Sequence, residues 1–232
     1  MTTAGSKPPA GGALPQSRVE RRKAQTRKKL IDAGRAMLAS DTAGQASIQE
    51  ITDAADVGFG SFYNHFSSKS ELFEAAVTDV LDELGVLLDQ LGVEVEDPAL
   101  AFAQSVRLTL RLCRDRPEIS AVLIRHGMNY IESPHGLAPR ALRDIRAGMA
   151  SGRFRAAEPR LASAAIAGAV LAPLQLALTD PDLVNAAACD QLADQLLRLL
   201  GVPFEETHAL ACVPLPVAEL PRAALIASAA TW

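Results

Sequence analysis

Along most of the chain, apolar residues return every three or four positions, the period of one helix face, and no stretch alternates convincingly over a strand's length. Leu30, Ile31, Gly34, Met37 and Leu38 set the first stripe. They predict a helix from Arg18 to about Ser40, closed by Thr42-Ala43-Gly44. Ser47 with Glu50 three positions on has the spacing of a capping box and predicts a short helix from Ile48 to about Ala55. Asp56-Val57-Gly58 then breaks the pattern, because Asp and Gly tolerate the left-handed backbone of a sharp helix-helix turn and Val57 can plug the space between the helices. A second short helix is expected over Phe59 to Phe66. Ser67 or Ser68 can cap a third, whose stripe Leu72, Phe73, Ala76, Val80, Leu84, Leu87 and Leu91 holds the period over about five turns. A helix of that length can join two domains.

Proline and glycine punctuate the rest. Asp97-Pro98 places a cap before proline at the first helical position and predicts a helix to about Arg114. Another is expected from Pro117 to about Tyr130, a loop over Glu132 to Gly136, and a helix from Leu137 to Ser151 stopped by Gly152. Glu158-Pro159 opens a long segment to Leu178, kinked at Pro173. Asp180-Pro181 opens the last, ending at Gly201-Val202-Pro203. The total is about nine helices, an all-α fold with no internal repeat. Four parts are expected: a disordered arm over residues 1–17, a helix-turn-helix unit over 18–67, a helical domain over 68–203, and a tail over 204–232 that has too little period to assign.

Composition agrees with helices. Of 232 residues, 49% are hydrophobic but only 4% aromatic, so the core must be built from Ala, Leu, Val and Ile. No apolar run approaches a membrane span of about 20 residues, and no signal-peptide core opens the chain; a soluble cytoplasmic protein with no membrane partner is expected. Cys113, Cys189 and Cys212 are widely spaced, with no Cys-x-x-Cys or Cys/His cluster, and read as buried thiols rather than disulfides or metal ligands. No metal or cofactor is expected. His126, His135 and His208 each lack a second ligand at metal spacing.

Charge changes the picture more. Nine Lys and Arg against Glu20 and Asp32 give residues 1–35 a net charge of +7, on a chain whose total is -4. A basic end on an acidic body suits a polyanion, although a solvated charged tail has the same composition. Catalytic patterns are missing: no nucleophile elbow, phosphate loop, dinucleotide fingerprint or His-Glu-x-x-His is present, and no enzyme is expected.

The run from Ser47 to Leu72 resembles the DNA-binding signature of the tetracycline-repressor (TetR) family of bacterial regulators. The likeness rests on the cap at Ser47, on Ile51, Ala55 and Val57, on Phe62-Tyr63-Asn64-His65-Phe66, and on Lys69 and Leu72 in register, with a basic helix ahead. Thr52 and Asp56 depart from the usual Ala and Gly. The resemblance implies that Phe59, Gly60, Tyr63 and Asn64 touch bases and that Ser47, Ser61, Tyr63, His65 and Lys69 grip the DNA backbone. Physical chemistry is compatible: Gly58 and Gly60 permit close approach, Ser61, Tyr63, His65 and Lys69 carry donors for phosphate oxygens, and a helix starting near Ser68 adds its dipole. Phe59 has two open readings, a thymine-methyl contact or a packing residue. Ile48, Ile51, Ala55, Val57, Phe62 and Phe66 should form the small core.

The same resemblance implies a homodimer on two operator half-sites and a small-molecule effector in the helical domain. Ala164, Ala165, Ala167, Gly168 and Ala169 permit close helix approach, and Leu192, Leu196 and Leu200 form a stripe; the last two long helices are the expected dimer interface. An effector pocket is expected among Phe102, Val106, Leu110, Cys113, Ile124, Met128, Asn129 and Tyr130, with Arg125 available to an acidic head group. Such a lining suits an apolar or amphipathic ligand that releases the protein from its operator. A helical ligand-binding or scaffold protein without specific DNA recognition is the alternative.

Overall fold

A computed structural model describes residues 17–92 and 95–215. Nearly all of the expected N-terminal arm, and the tail beyond residue 215, lie outside the described residues. Among the described residues ten α-helices run in the order α1 (Arg18–Ala39), α2 (Ile48–Ala54), α3 (Phe59–Phe62), α4 (Lys69–Gly92), α5 (Pro98–Asp115), α6 (Pro117–His126), α7 (Leu137–Ala150), α8 (Pro159–Leu176), α9 (Ala186–Leu199) and α10 (Phe204–Ala211), with 3-10 turns over Gly127–Tyr130 and Pro181–Val184. The described residues contain no strand.

Caps set the starts as their spacing predicts. Ser47 with Glu50 forms a complete capping box, while Asp97 and Glu158 cap α5 and α8 ahead of proline; Ser17, expected in the arm, instead caps α1 in a second complete box with Glu20. The turn before α3 takes its left-handed residue from Asp56, at φ +49°, held by Lys29 Nζ at 3.0 Å. Gly58 is extended instead.

Three elements differ from expectation. The helix expected to reach Phe66 stops at Phe62, because the next turn tightens: the amides of Asn64 and His65 donate three residues back, to the carbonyls of Ser61 and Phe62. The helix expected to reach Tyr130 tightens in the same way after His126. Asn185 caps α9 and so splits the last expected segment. α10 falls in the stretch left unassigned and packs on α9 and α5.

Leu30 of α1, Ile51 of α2, Phe62 of α3 and Leu72 of α4 are fully buried together with Phe66 and Ala76 in one core. Gly34 allows α1 to cross α4 closely, since a Cβ there would stand 3.3 Å from that of Ala76. α4 is 24 residues long, about 36 Å at 1.5 Å per residue, and runs on past this contact into the layers formed by α5 to α10. Cys113 and Cys189 are buried, whereas Cys212 is exposed. Leu196 and Leu200, expected at a dimer surface, point inward and are buried. α8 is, among the described residues, the one helix long and apolar enough to cross a membrane by length and composition alone.

Candidate DNA-binding face and effector cavity

The helix-turn-helix presents one exposed edge. Phe62 is sealed beneath it, while Phe59 and Tyr63 remain 48% and 55% exposed. Their rings meet edge to face with centroids 5.9 Å apart. Phe59 is therefore outside the core, which favours the contact reading over the packing one. Gly58, Gly60 and Asn64 share this exposed stretch, with Ser61 half-buried beside it. Ser61 and Gly58 border a shallow groove whose far wall is Arg22, Gln25, Thr26 and Lys29 of α1. Burial, with the Lys23 and Arg27 cations nearby, pushes the His65 imidazole below its ordinary pKa.

Two expected phosphate donors have protein partners. Lys69 Nζ donates to the carbonyls of Gly44 and Ala46, at 3.1 Å each, so it fastens the loop before α2 to the start of α4. At the N-terminus of α4, the Glu71 carboxylate accepts from the amide and hydroxyl of Ser67, at 2.7 and 2.6 Å. Its negative charge already occupies the positive end of the helix. Ser47 is exposed, and its hydroxyl is shared with Glu50 in the cap.

A cavity of about 440 Å³ lies among α4, α5, α7, α8 and the end of α6. Phe102, Val106, Leu123, Tyr130, Ile166 and Val170 give it an apolar body. Asp89, Arg140, Arg143 and Asp144 gather at one end. Arg140 bonds Asp89 at 2.9 Å and Asp82 at 3.2 Å, and Arg143 bonds Asp89 at 2.8 Å and Asp144 at 2.7 Å. Partial burial alone would raise the Asp89 pKa, but the Arg143 and Arg140 guanidiniums outweigh it and hold the carboxyl below its ordinary value. Sequence reading missed this cluster. Its signal was a pair of acids, Asp82 and Asp89, two turns apart on one face of a helix whose partner carries Arg140 and Arg143.

Of the expected lining, Phe102, Val106 and Tyr130 face the cavity. Leu110 and Cys113 lie further along the α5 stripe, buried in solid core beyond the cavity's reach. Ile124, Met128 and Asn129 are out of register: the face turned inward is Leu123, Gly127 and Tyr130, and Met128 is 59% exposed. Arg125 reaches away from the cavity altogether. Its guanidinium donates to the carbonyls of Leu38 and Ala39 at the end of α1, at 2.9 and 3.4 Å, and stands 3.3 Å from Asp41. Asp41 is the other non-glycine residue of positive φ among those described, at +63°.

A compact exposed helix-turn-helix joined by one long helix to a cavity-bearing helical body defines a ligand-responsive DNA-binding regulator. Residues 30–76 match the family described as "Bacterial regulatory proteins, tetR family", and residues 97–212 match "Tetracyclin repressor-like, C-terminal domain". The chain belongs to the TetR family of transcriptional regulators, whose members are not enzymes. Among solved structures it is similar to RolR in complex with resorcinol, at 31% identity over 84% of this chain and 97% of that one, with a TM-score of 0.63. RolR without ligand gives a TM-score of 0.70 at the same 31% identity, over 82% of this chain and 98% of that one. FadR from Bacillus subtilis in complex with stearoyl-CoA shares the fold at 17% identity, with 74% of this chain and 98% of that one covered and a TM-score of 0.62. No curated protein matches the sequence.

Proposed function

We propose that this regulator is a repressor that grips its operator through the edge carrying Gly58, Phe59, Gly60, Ser61, Tyr63, Asn64 and His65, and lets go when an effector enters the cavity. Residues 18–67 act as the reading head, and the helical body from 68 onward holds the effector and a second copy. The observation that carries the reading is the exposed Phe59–Tyr63 pair standing on a sealed Phe62 core. Two large aromatic rings left in water, one on a four-residue helix and one at its C-cap, gain most by meeting bases and sugar edges. Acting on genomic DNA, the protein works in the cytoplasm.

The dimer surface follows from α8. Leu161, Ala165, Gly168, Ala172 and Leu176 return at helical spacing on its open side, with Leu161 71% and Leu176 51% exposed. A Cβ at Gly168 would meet nothing within 4 Å. Small residues between two leucines let a second helix approach closely, so a second copy covers this apolar face. Leu199 of α9 is also open and extends the surface.

The effector is amphipathic. The cavity is apolar in its body and polar where Asp89, Arg140 and Arg143 meet, and the similar RolR binds resorcinol, a ring with hydroxyl groups. Hydroxylated aromatic compounds have the matching chemistry: a ring for the apolar walls and hydroxyls for Asp89 and the guanidiniums.

The test uses the full chain and a duplex selected from a random library. Wild type should bind it with steep salt dependence, and Tyr63→Ala should lose at least tenfold in affinity while melting at the same temperature. Equal, weak binding of both proteins to every duplex would sink the reading.

A further inference from the structure

The sequence placed an excess of positive charge near the N-terminus, and the reading edge does not use it. α1 spends only part of that charge inside the protein: Lys28 pairs with Asp32, Lys29 with Asp56, and Arg35 with Asp79 and Glu83. Arg18, Arg21, Arg22 and Lys23 have no ion pair or side-chain hydrogen bond among the described residues. Every position from Ser17 to Gln25 is exposed, so more than two turns of α1 overhang the three-helix core. The complete capping box at Ser17 and Glu20 holds that overhang helical at its outer end.

The overhang is oriented. Arg22 and Lys29 stand seven residues apart, close to two full turns, and both wall the groove that borders Gly58 and Ser61. Arg18 continues the same face one turn outward. On the other side, Lys23 and Arg27 lie near enough to His65 to lower its pKa, and Arg27 stacks over Phe66 at 5.1 Å. Basic side chains of α1 thus flank α3 on both sides, continuous with the proposed base-reading edge.

We infer that the projecting half of α1 is a second DNA-binding surface, which lays Arg18 and Arg22 along the phosphates outside the base pairs read by α3. The stripe from Arg18 to Lys29 covers 12 residues, or 11 steps of about 1.5 Å, about 16 Å of helix axis, or about five base pairs at 3.4 Å each. The occupant is duplex backbone: the stripe is cationic, linear and contiguous with the reading edge, and the remainder of the chain is acidic. This inference rests on the operator-binding reading above, and it enlarges the footprint without adding base specificity.

The experiment measures Kd by fluorescence anisotropy on two duplexes carrying the selected operator, one trimmed to the half-sites and one extended by six base pairs on each side. Wild type should prefer the extended duplex and show the steeper dependence of log Kd on log salt. R18A/R22A should bind both duplexes equally. Its slope on the extended duplex should fall by about 0.9 per lost phosphate contact, about 3.5-fold in Kd per contact between about 50 and 200 mM salt. Lys28→Ala, on the same helix but paired with Asp32, should behave as wild type. An unchanged slope and retained preference for the extended duplex in R18A/R22A would overturn the inference, as would an equal loss in Lys28→Ala. If Tyr63→Ala also binds as wild type, the fault lies with the reading edge itself; if Tyr63→Ala fails while R18A/R22A is silent, only the second surface falls.

Discussion

Gly85 offers a test of how the helical body holds the linker helix. A Cβ on Gly85 would stand 2.7 Å from Cδ, Nε and Cζ of Arg140, which crosses α4 at that point on its way to Asp82 and Asp89. Gly85→Ala therefore forces the guanidinium aside. The obstructing atoms are the far end of a flexible side chain, so the displacement is cheap, but the two ion pairs go with it. Arg140 is 23% exposed and its partners 45% and 37%, so solvent screening leaves the pairs together at about 1 kcal/mol. Against that, alanine is better than glycine inside a helix by about 0.8–1 kcal/mol. The two effects cancel, and Tm should stay within about 3 °C of wild type, where 1 kcal/mol corresponds to about 2–4 °C in a chain of this size. In an Arg140→Ala background the steric conflict is gone, and the same substitution should stabilise by about 1 kcal/mol. Urea denaturation of the four proteins measures the difference directly as a coupling of about 1 kcal/mol. Additive effects would refute the argument, as would a loss above 3 kcal/mol in the single variant, which would mean that Arg140 cannot swing away.

Two further outcomes follow from the site geometry. Arg125→Ala removes the cap on the last carbonyls of α1 and the Asp41 pair; for these partly exposed bonds the expected cost is about 1 kcal/mol, read as a small fall in Tm, with a weaker effect of effector on operator affinity because the polar tie between α6 and the end of α1 is lost while their packing remains. His65 has a lowered pKa in the free protein, and a neighbouring phosphate would favour its charged form, so operator binding takes up a proton and affinity should rise as pH falls from 8 to 6. His65→Gln should flatten that dependence in anisotropy titrations; an unaltered pH profile would remove His65 from the phosphate contacts.

What could be read from the sequence was what depends on near neighbours. The capping pair Ser47 and Glu50, the left-handed Asp56 and the caps before Pro98 and Pro159 act within a few residues, and they stand where their spacing places them. Phe59, Gly60, Tyr63 and Asn64 were singled out through the resemblance to the TetR signature rather than through local spacing, which left Phe59 open between contact and packing; all four stand exposed. The cavity was half legible. The α5 stripe identified Phe102 and Val106, but a stripe says only which side faces inward, and the same side goes on to Leu110 and Cys113 where the interior is filled. On α6 an error of one residue is a rotation of about 100°, enough to exchange Leu123 and Gly127 for Ile124 and Met128.

Long-range pairs were out of reach. Arg125 and Arg140 are both exposed-looking arginines in helical patterns, and nothing local separates the one that caps α1, 87 residues away, from the one that crosses α4, 51 residues from Asp89. Their partners nevertheless give the two residues different mechanical roles. Arg140 ties the polar end of the effector cavity to the middle of α4, and Arg125 ties the end of α6, whose neighbouring turn also lines the cavity, to the end of α1. The three-helix reading head is thus held from the effector side at two separate points, through α4 and through α1. A ligand that shifts only one of them would tilt the head about the other, whereas a shift of both would translate it. The double variant of Arg125 and Gly85 separates these cases, because loss of effector response beyond the sum of the two single variants requires that the tethers act together.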